Sequence, residues 1–160
     1  RGDIIRNTGI YHLINVMGNY QIDKKKVWKT PTTLVLELFT KYHKGAILKT
    51  NVKTNKFISP KLGKQPSYKN NKTIDASATS YKNEICLSVV NKSENKNIEL
   101  KSPYLNKIYQ TFTINGENKT DLNSYENNKK VQIKKNVLKY NLNKITLPPH
   151  SINLIIFKNC

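Results

Sequence analysis

The apolar positions of this chain follow two rhythms. Between Thr30 and Gly45 they recur at helical spacing, Leu34, Val35, Leu38, Phe39 and Tyr42 forming one broad stripe. Thr30 is placed as an N-cap whose hydroxyl accepts from a first-turn N–H. Pro31 suits the first helical position, His43 and Lys44 are placed as helix-end cations, and Gly45 offers the left-handed conformation that ends helices. After Gly45 the rhythm changes to a period of two. It predicts strands over Ala46–Thr54, Ile74–Tyr81, Glu84–Asn91, Lys96–Lys101, Lys107–Ile114, Val131–Ile133, Val137–Leu142, Ile145–Leu147 and Ser151–Phe157. Lys82-Asn83 reads as a hairpin turn, and Ile108, Phe112 and Ile114 as one apolar face. Residues 55–73 carry Pro60, Gly63 and Pro66 among polar neighbours and read as a long exposed loop. Residues 117–130 read as polar and irregular. Before the helix, Ile4–Leu13 suits a short buried strand or a helix, and residues 18–29, with Lys24-Lys25-Lys26, a loop.

The fold expected is mainly β: an antiparallel, jelly-roll-like sandwich over residues 46–160, preceded in residues 1–45 by the tail of a larger domain. The helix stripe asks for a partner surface. Burying five such side chains is worth on the order of 10 kcal/mol at about 1.5–3 kcal/mol each. Part of that cover is expected from a missing upstream domain, so the chain alone is expected to expose the stripe and to self-associate as a homo-oligomer.

Composition changes this picture little. The net charge is +18, but 26 of the 28 basic residues are lysines, Arg1 and Arg6 being the exceptions, mixed with 22 asparagines. Arginine is the residue suited to bidentate phosphate and base contacts. The Lys/Asn excess is read as the drift of an AT-rich genome on solvated faces, and no nucleic-acid partner is expected. No apolar run approaches the roughly 20 residues that span a bilayer, so no membrane partner is expected. Cys86 falls in an apolar strand as a small core residue, and Cys160 ends the chain. Three sequons, at Asn71, Asn91 and Asn118, are no more than this much asparagine gives by chance, and leave cytoplasmic and secreted locations equally open.

Chemistry is sparse. The ten carboxylates flank turns or alternate outward, and no two are forced into one cleft. His12, His43 and His150 are isolated, without the clustering a metal site needs, and no Gly-rich phosphate loop occurs. No cofactor or metal is expected. Aromatic residues after Gly45 are scattered, which argues for a structural sandwich rather than a sugar-binding one.

An ordered set of segments nevertheless resembles one family. Ile14-Asn-Val-Met17, Trp28-Lys-Thr-Pro-Thr32, Val35-Leu-Glu-Leu-Phe39 and Tyr42-His43 resemble the last strand–helix unit of the catalytic barrel in the α-L-arabinofuranosidases of glycoside hydrolase family 51. Asp75-Ala-Ser-Ala-Thr79, Leu87–Ser93, Asp121–Asn127 with Val131, and Leu147-Pro-Pro-His-Ser-Ile-Asn-Leu154 resemble that family's C-terminal domain. The resemblance implies a (β/α)8 barrel remnant over 1–45 followed by a sandwich over 46–160. It also implies a retaining hydrolase acting on terminal arabinofuranosyl residues of arabinoxylan- or arabinan-type glycans through two glutamates, an acid/base and a nucleophile. In the family both lie on earlier barrel strands, so no catalytic residue is expected in this chain, and Asn83-Glu84 matches only as a dipeptide. Where the family has Ala-Gln before Asn-Val, with the Gln at the sugar subsite, this chain has Tyr11 and His12. His12 is therefore the one candidate substrate-binding residue, able to hydrogen-bond a hydroxyl, although a His satisfied by neighbouring backbone fits the position equally. A stand-alone carbohydrate- or protein-interaction sandwich is the alternative class.

Overall fold

The computed structural model describes residues 9–137 and 144–158, and of Asn106 the backbone alone. The helix α1 spans Pro31–Tyr42 and is capped by His43; Gly45, expected to end it, takes its φ of +81° two residues further on. A Cβ there would meet the Ser80 carbonyl oxygen at 2.1 Å, so only glycine allows the chain to pass so close to the sheet. The N-cap works differently from the expectation. The Thr30 hydroxyl turns outward and donates to the Asn19 carbonyl at 3.0 Å, which also accepts from the Thr33 hydroxyl. Two side chains thus tie the helix start to the preceding loop.

Besides the helix, the described residues form twelve strands: β1 (Tyr20–Asp23), β2 (Lys26–Lys29), β3 (Ala46–Leu48), β4 (Lys56–Ser59), β5 (Tyr68–Lys72), β6 (Ile74–Tyr81), β7 (Glu84–Asn91), β8 (Ile98–Leu100), β9 (Ile108–Asn115), β10 (Gln132–Val137), β11 (Ile145–Leu147) and β12 (Ser151–Lys158). Six of them form the main sheet in the order β10-β9-β12-β7-β6-β3, every pair antiparallel. β12 is central and buried on both faces. Leu154 and Ile156 enter a core closed by Leu34 and Leu38 of α1 together with Cys86, Phe112, Ile114 and Val131. Ile155 and Phe157 enter a second core with Ile74, Val89, Ile108 and Leu147, over which the β8–β11 pair and the short 3₁₀ turn Leu105–Lys107 lie. The architecture is mainly β and antiparallel, as expected.

Several expectations need correction. The helix stripe is not left open: Leu34 and Leu38 are 8% and 4% exposed, and the Tyr42 ring packs on Phe112 at 4.6 Å. The sheet itself supplies the cover, and Val35, Phe39 and Tyr42, though only partly buried, pack against the same core. Ile108 does not share a face with Phe112 and Ile114. β9 pairs Gln110 with Ile156 but Ile108 with Phe157, so Tyr109 is an extra residue in a bulge that turns Ile108 to the second core. Residues 18–29 are not a loop but the β1–β2 hairpin, in which the lysine run forms the turn and Lys24 takes a φ of +39°. Within 55–73, β4 and β5 pair as a second hairpin. The strand expected over Ala46–Thr54 is reduced to Ala46–Leu48. Of the strand expected over Ile4–Leu13, residues 9–13 are not extended into a sheet, and residues 4–8 lie outside the described residues. Val131–Ile133 and the start of Val137–Leu142 belong to one strand, β10, while 138–142 and Cys160 also lie outside them.

Candidate functional site

The segments that carried the resemblance are far apart in sequence and meet in the fold through buried amides. Asn91, at the end of β7, donates its Nδ2 to the carbonyls of Lys96, Leu147 and Pro148 at 3.1, 3.2 and 2.7 Å, and its Oδ1 accepts from the Ser93 N–H at 2.9 Å. The His150 N–H closes the same knot on the Ser93 carbonyl at 2.8 Å. Asn153 is 2% exposed; its Oδ1 accepts from Thr113 and its Nδ2 donates to Ser151. On the opposite side Asn123 donates to the carbonyls of Lys29 and Val131 and accepts from the Val131 N–H at 2.7 Å, while Trp28 donates its indole N–H to the Asn123 carbonyl. Each amide satisfies polar backbone that would otherwise be buried without partners. Asn91 and Asn123 join separate elements and Asn153 ties strands of the main sheet, and asparagine suits all three because it donates and accepts at one position.

His43 is another joint rather than a helix-end cation. Its ring stacks on Phe39 at 5.0 Å, and its Nε2 faces Ser88 Oγ at 3.2 Å. Burial lowers its pKa below the usual 6.5, which favours the neutral imidazole at pH 7. His150 sits in a left-handed turn, φ +39°, with its two ring nitrogens facing the Glu94 and Gly116 carbonyls. Cys86 is a buried free thiol, pushed up to about 12 by desolvation and so inert as a nucleophile.

The carboxylates are spread out and mostly occupied. Glu37, Asp75, Glu94, Glu99 and Asp121 pair with Lys29, Lys92, Lys119, Lys144 and Lys130 respectively. Asp121 sits at about 2, held first by the Asn118 N–H and then by Lys130. Glu84 accepts from the Tyr109 hydroxyl, whose pKa is raised by burial and by that carboxylate. Among the described residues no group of three His, Cys, Asp or Glu is placed to hold a metal ion. His12 is exposed, and its ring meets Tyr11 edge-on at 4.7 Å. It belongs to a run of exposed apolar residues, with Tyr11 95%, Leu13 61%, Val16 76% and Met17 82% accessible. The structure brings His12 to none of the other residues singled out. Two features escaped the sequence reading. One is the set of amide joints. The other is a pair of aromatics, Phe57 and Tyr68, placed on one face of the β4–β5 hairpin, where a scatter was expected. Phe57 stands opposite Asn71 and Ser59 opposite Tyr68, and Asn71 donates to Ser59 Oγ at 3.0 Å across that face.

The fold is one that solved structures share. The chain superposes on the α-L-arabinofuranosidase of Thermotoga maritima, solved in complex with arabinose, with a TM-score of 0.77 and 20% identity, covering 92% of this chain and 33% of that one. The family 51 α-L-arabinofuranosidase of Bifidobacterium longum gives 0.75 and 16%, covering 92% and 30%. The GH51 arabinofuranosidase of Xanthomonas axonopodis pv. citri gives 0.71 and 18%, covering 91% and 30%. The likeness is one of fold, and the chain spans about a third of the length of these structures. No curated protein sequence matches it. The family model for the α-L-arabinofuranosidase C-terminal domain matches residues 1–151, the span that contains Asn91 and Asn123 but not Asn153, and the chain belongs to that family.

Proposed function

We propose that this chain is the C-terminal part of a retaining α-L-arabinofuranosidase that releases terminal non-reducing α-L-arabinofuranosyl residues from arabinoxylan- or arabinan-type glycans. The observation that carries the reading is the family match over residues 1–151 on a chain that spans a third of its structural relatives. In this reading residues 1–45 complete the catalytic barrel, and residues 46–160 are the sandwich packed beside it. The exposed run Tyr11–Met17 supports the division: so much accessible apolar surface in one segment suits contact with further barrel strands. His12 then lies at the barrel face where substrate binds and donates to, or accepts from, a sugar hydroxyl.

Retaining hydrolysis needs two carboxyl groups roughly 5–5.5 Å apart, one to attack the anomeric carbon and one to protonate the leaving oxygen. The dispersed, lysine-paired carboxylates described above support the view that this chain supplies neither. The chain alone is therefore expected to leave an aryl α-L-arabinofuranoside intact, while the gene reading upstream of Arg1 encodes a barrel with two glutamates. Hydrolysis that persists through purification and vanishes in Glu84→Gln, or an unrelated domain upstream, would overturn the reading.

A further inference from the structure

We propose that the β4–β5 hairpin is a docking surface for a uronate-bearing polysaccharide. The choice of a sugar polymer rests on the glycosidase reading; the choice of an acidic one rests on the hairpin. From Thr40 to Ile74 the sequence holds nine lysines and no carboxylate. Lys56 and Lys72 stand directly opposite each other across the ribbon, an arrangement of like charges that destabilises a strand pair. Lys56, Lys61, Lys64, Lys69 and Lys72 are all exposed, and none has an ion-pair partner among the described residues. Elsewhere Lys29, Lys92, Lys119, Lys130 and Lys144 face carboxylates and other lysines do not, but this ribbon holds no carboxylate at all. Fold stability does not call for uncompensated charge on a two-stranded ribbon, but an anionic polymer does.

The same ribbon presents the other half of a sugar site. Phe57 and Tyr68 are 39% and 57% exposed on one face, with Asn71 between them as a polar group for sugar hydroxyls. Lys92 Nζ, already held by Asp75 at 2.8 Å, lies 6.0 Å from the Phe57 ring centroid. The ribbon is only two strands wide, roughly 5 Å. Lys56 and Lys72 alternate with Phe57 and Asn71 and so fall on the ribbon's other face, one strand's width from a polymer that wraps its edge. Lysines present point charges, which suit single carboxylates spaced along a polymer, whereas phosphate chains favour the arginine fork, and the described residues contain no arginine.

The test uses the whole chain and polygalacturonate, with neutral arabinoxylan oligosaccharides and oligo(dT) as comparisons. Polygalacturonate is expected to bind, to weaken at least tenfold in the triple variant Lys56→Glu, Lys69→Glu, Lys72→Glu, and to weaken at least threefold in Tyr68→Ala. A control variant with the same net charge, Lys24→Glu, Lys25→Glu, Lys129→Glu, is expected to bind as the parent does. Neutral oligosaccharides are expected to give no heat. No binding of polygalacturonate, equal losses in both triple variants, or tighter binding of oligo(dT) would each overturn the proposal. The glycosidase reading is untouched by these outcomes, since it is tested by the upstream sequence.

Discussion

The two faces of the main sheet are made by the same strands and covered in different ways. On the first, α1 lays Leu34 and Leu38 over Cys86, Phe112, Ile114, Leu154 and Ile156 and closes the core. On the second, the β8–β11 pair and the Leu105–Lys107 turn cover Val89, Ile108 and Ile155 at one end only. At the other end Leu48, Val52, Ala76, Ile85 and Leu87 line a groove of about 850 Å³, rimmed by Lys49, Lys53, Lys101 and Lys158. β7 serves both faces, Cys86 and Ser88 on one and Leu87 and Val89 on the other. Alternation within the strand is regular throughout, so what an apolar position contributes depends on its cover and not on its place in the pattern. This difference predicts unequal costs for the same truncation. Leu154→Ala opens a cavity under the helix at a position with no exposure, and is expected to cost about 3–5 kcal/mol in urea unfolding. Leu87→Ala, beside the groove, is expected to cost about 1 kcal/mol, since water already reaches the site. Equal costs would mean that the groove is closed in solution, and would break the comparison.

How much of this was legible in the sequence follows the range of the interactions. The α1 stripe, the β6–β7 hairpin and the closing strand β12 depend on spacing within one segment, and their elements lie where the periodicity puts them. The β1–β2 and β4–β5 hairpins were hidden because lysine and asparagine fill positions where alternation is normally seen. The face of Ile108 could not be read at all: it is set by a bulge against β12, nearly fifty residues downstream, and the local pattern carries no sign of it. The same holds for the joints. Asn91, Asn123 and Asn153 look like three among 22 asparagines, and only the fold shows that their amides are buried. The family resemblance found those segments by their order without showing what they do. His12 was singled out only through that resemblance, and nothing in the residues themselves marks it.

The joints sharpen the contrast between the faces. Where the second layer has less apolar contact with the sheet, Asn91 ties it down by three carbonyl contacts. Asn91→Ala strands those carbonyls and the Ser93 N–H, and is expected to cost about 2 kcal/mol. The loss should be local first. Hydrogen exchange is expected to speed up at Ile98 and Leu147, in β8 and β11, before it does so at Leu154. Uniform acceleration across the sheet would show that the second layer is as firmly fixed as the helix, contrary to the comparison.

The smallest effect expected is a pH dependence confined to the helix-covered face. His43 lies between α1 and β7, stacked on Phe39 and facing Ser88 and Ser77, and burial lowers its pKa below 6.5. As pH falls past 6.5 the unfolded chain protonates this residue while the folded chain still holds it neutral. The unfolded state then binds the extra proton, so stability declines with falling pH until the folded pKa is passed, and levels off below it. Above 6.5 both states are neutral and the contribution is full. His150 and His12 lie outside this core, so replacing His43 alone should flatten the decline. Chemical unfolding of the parent and of His43→Gln between pH 7.5 and 5 measures the difference directly. A decline that persists unchanged in His43→Gln would place its origin elsewhere, and would remove the buried imidazole from the account of how the helix is held to the sheet.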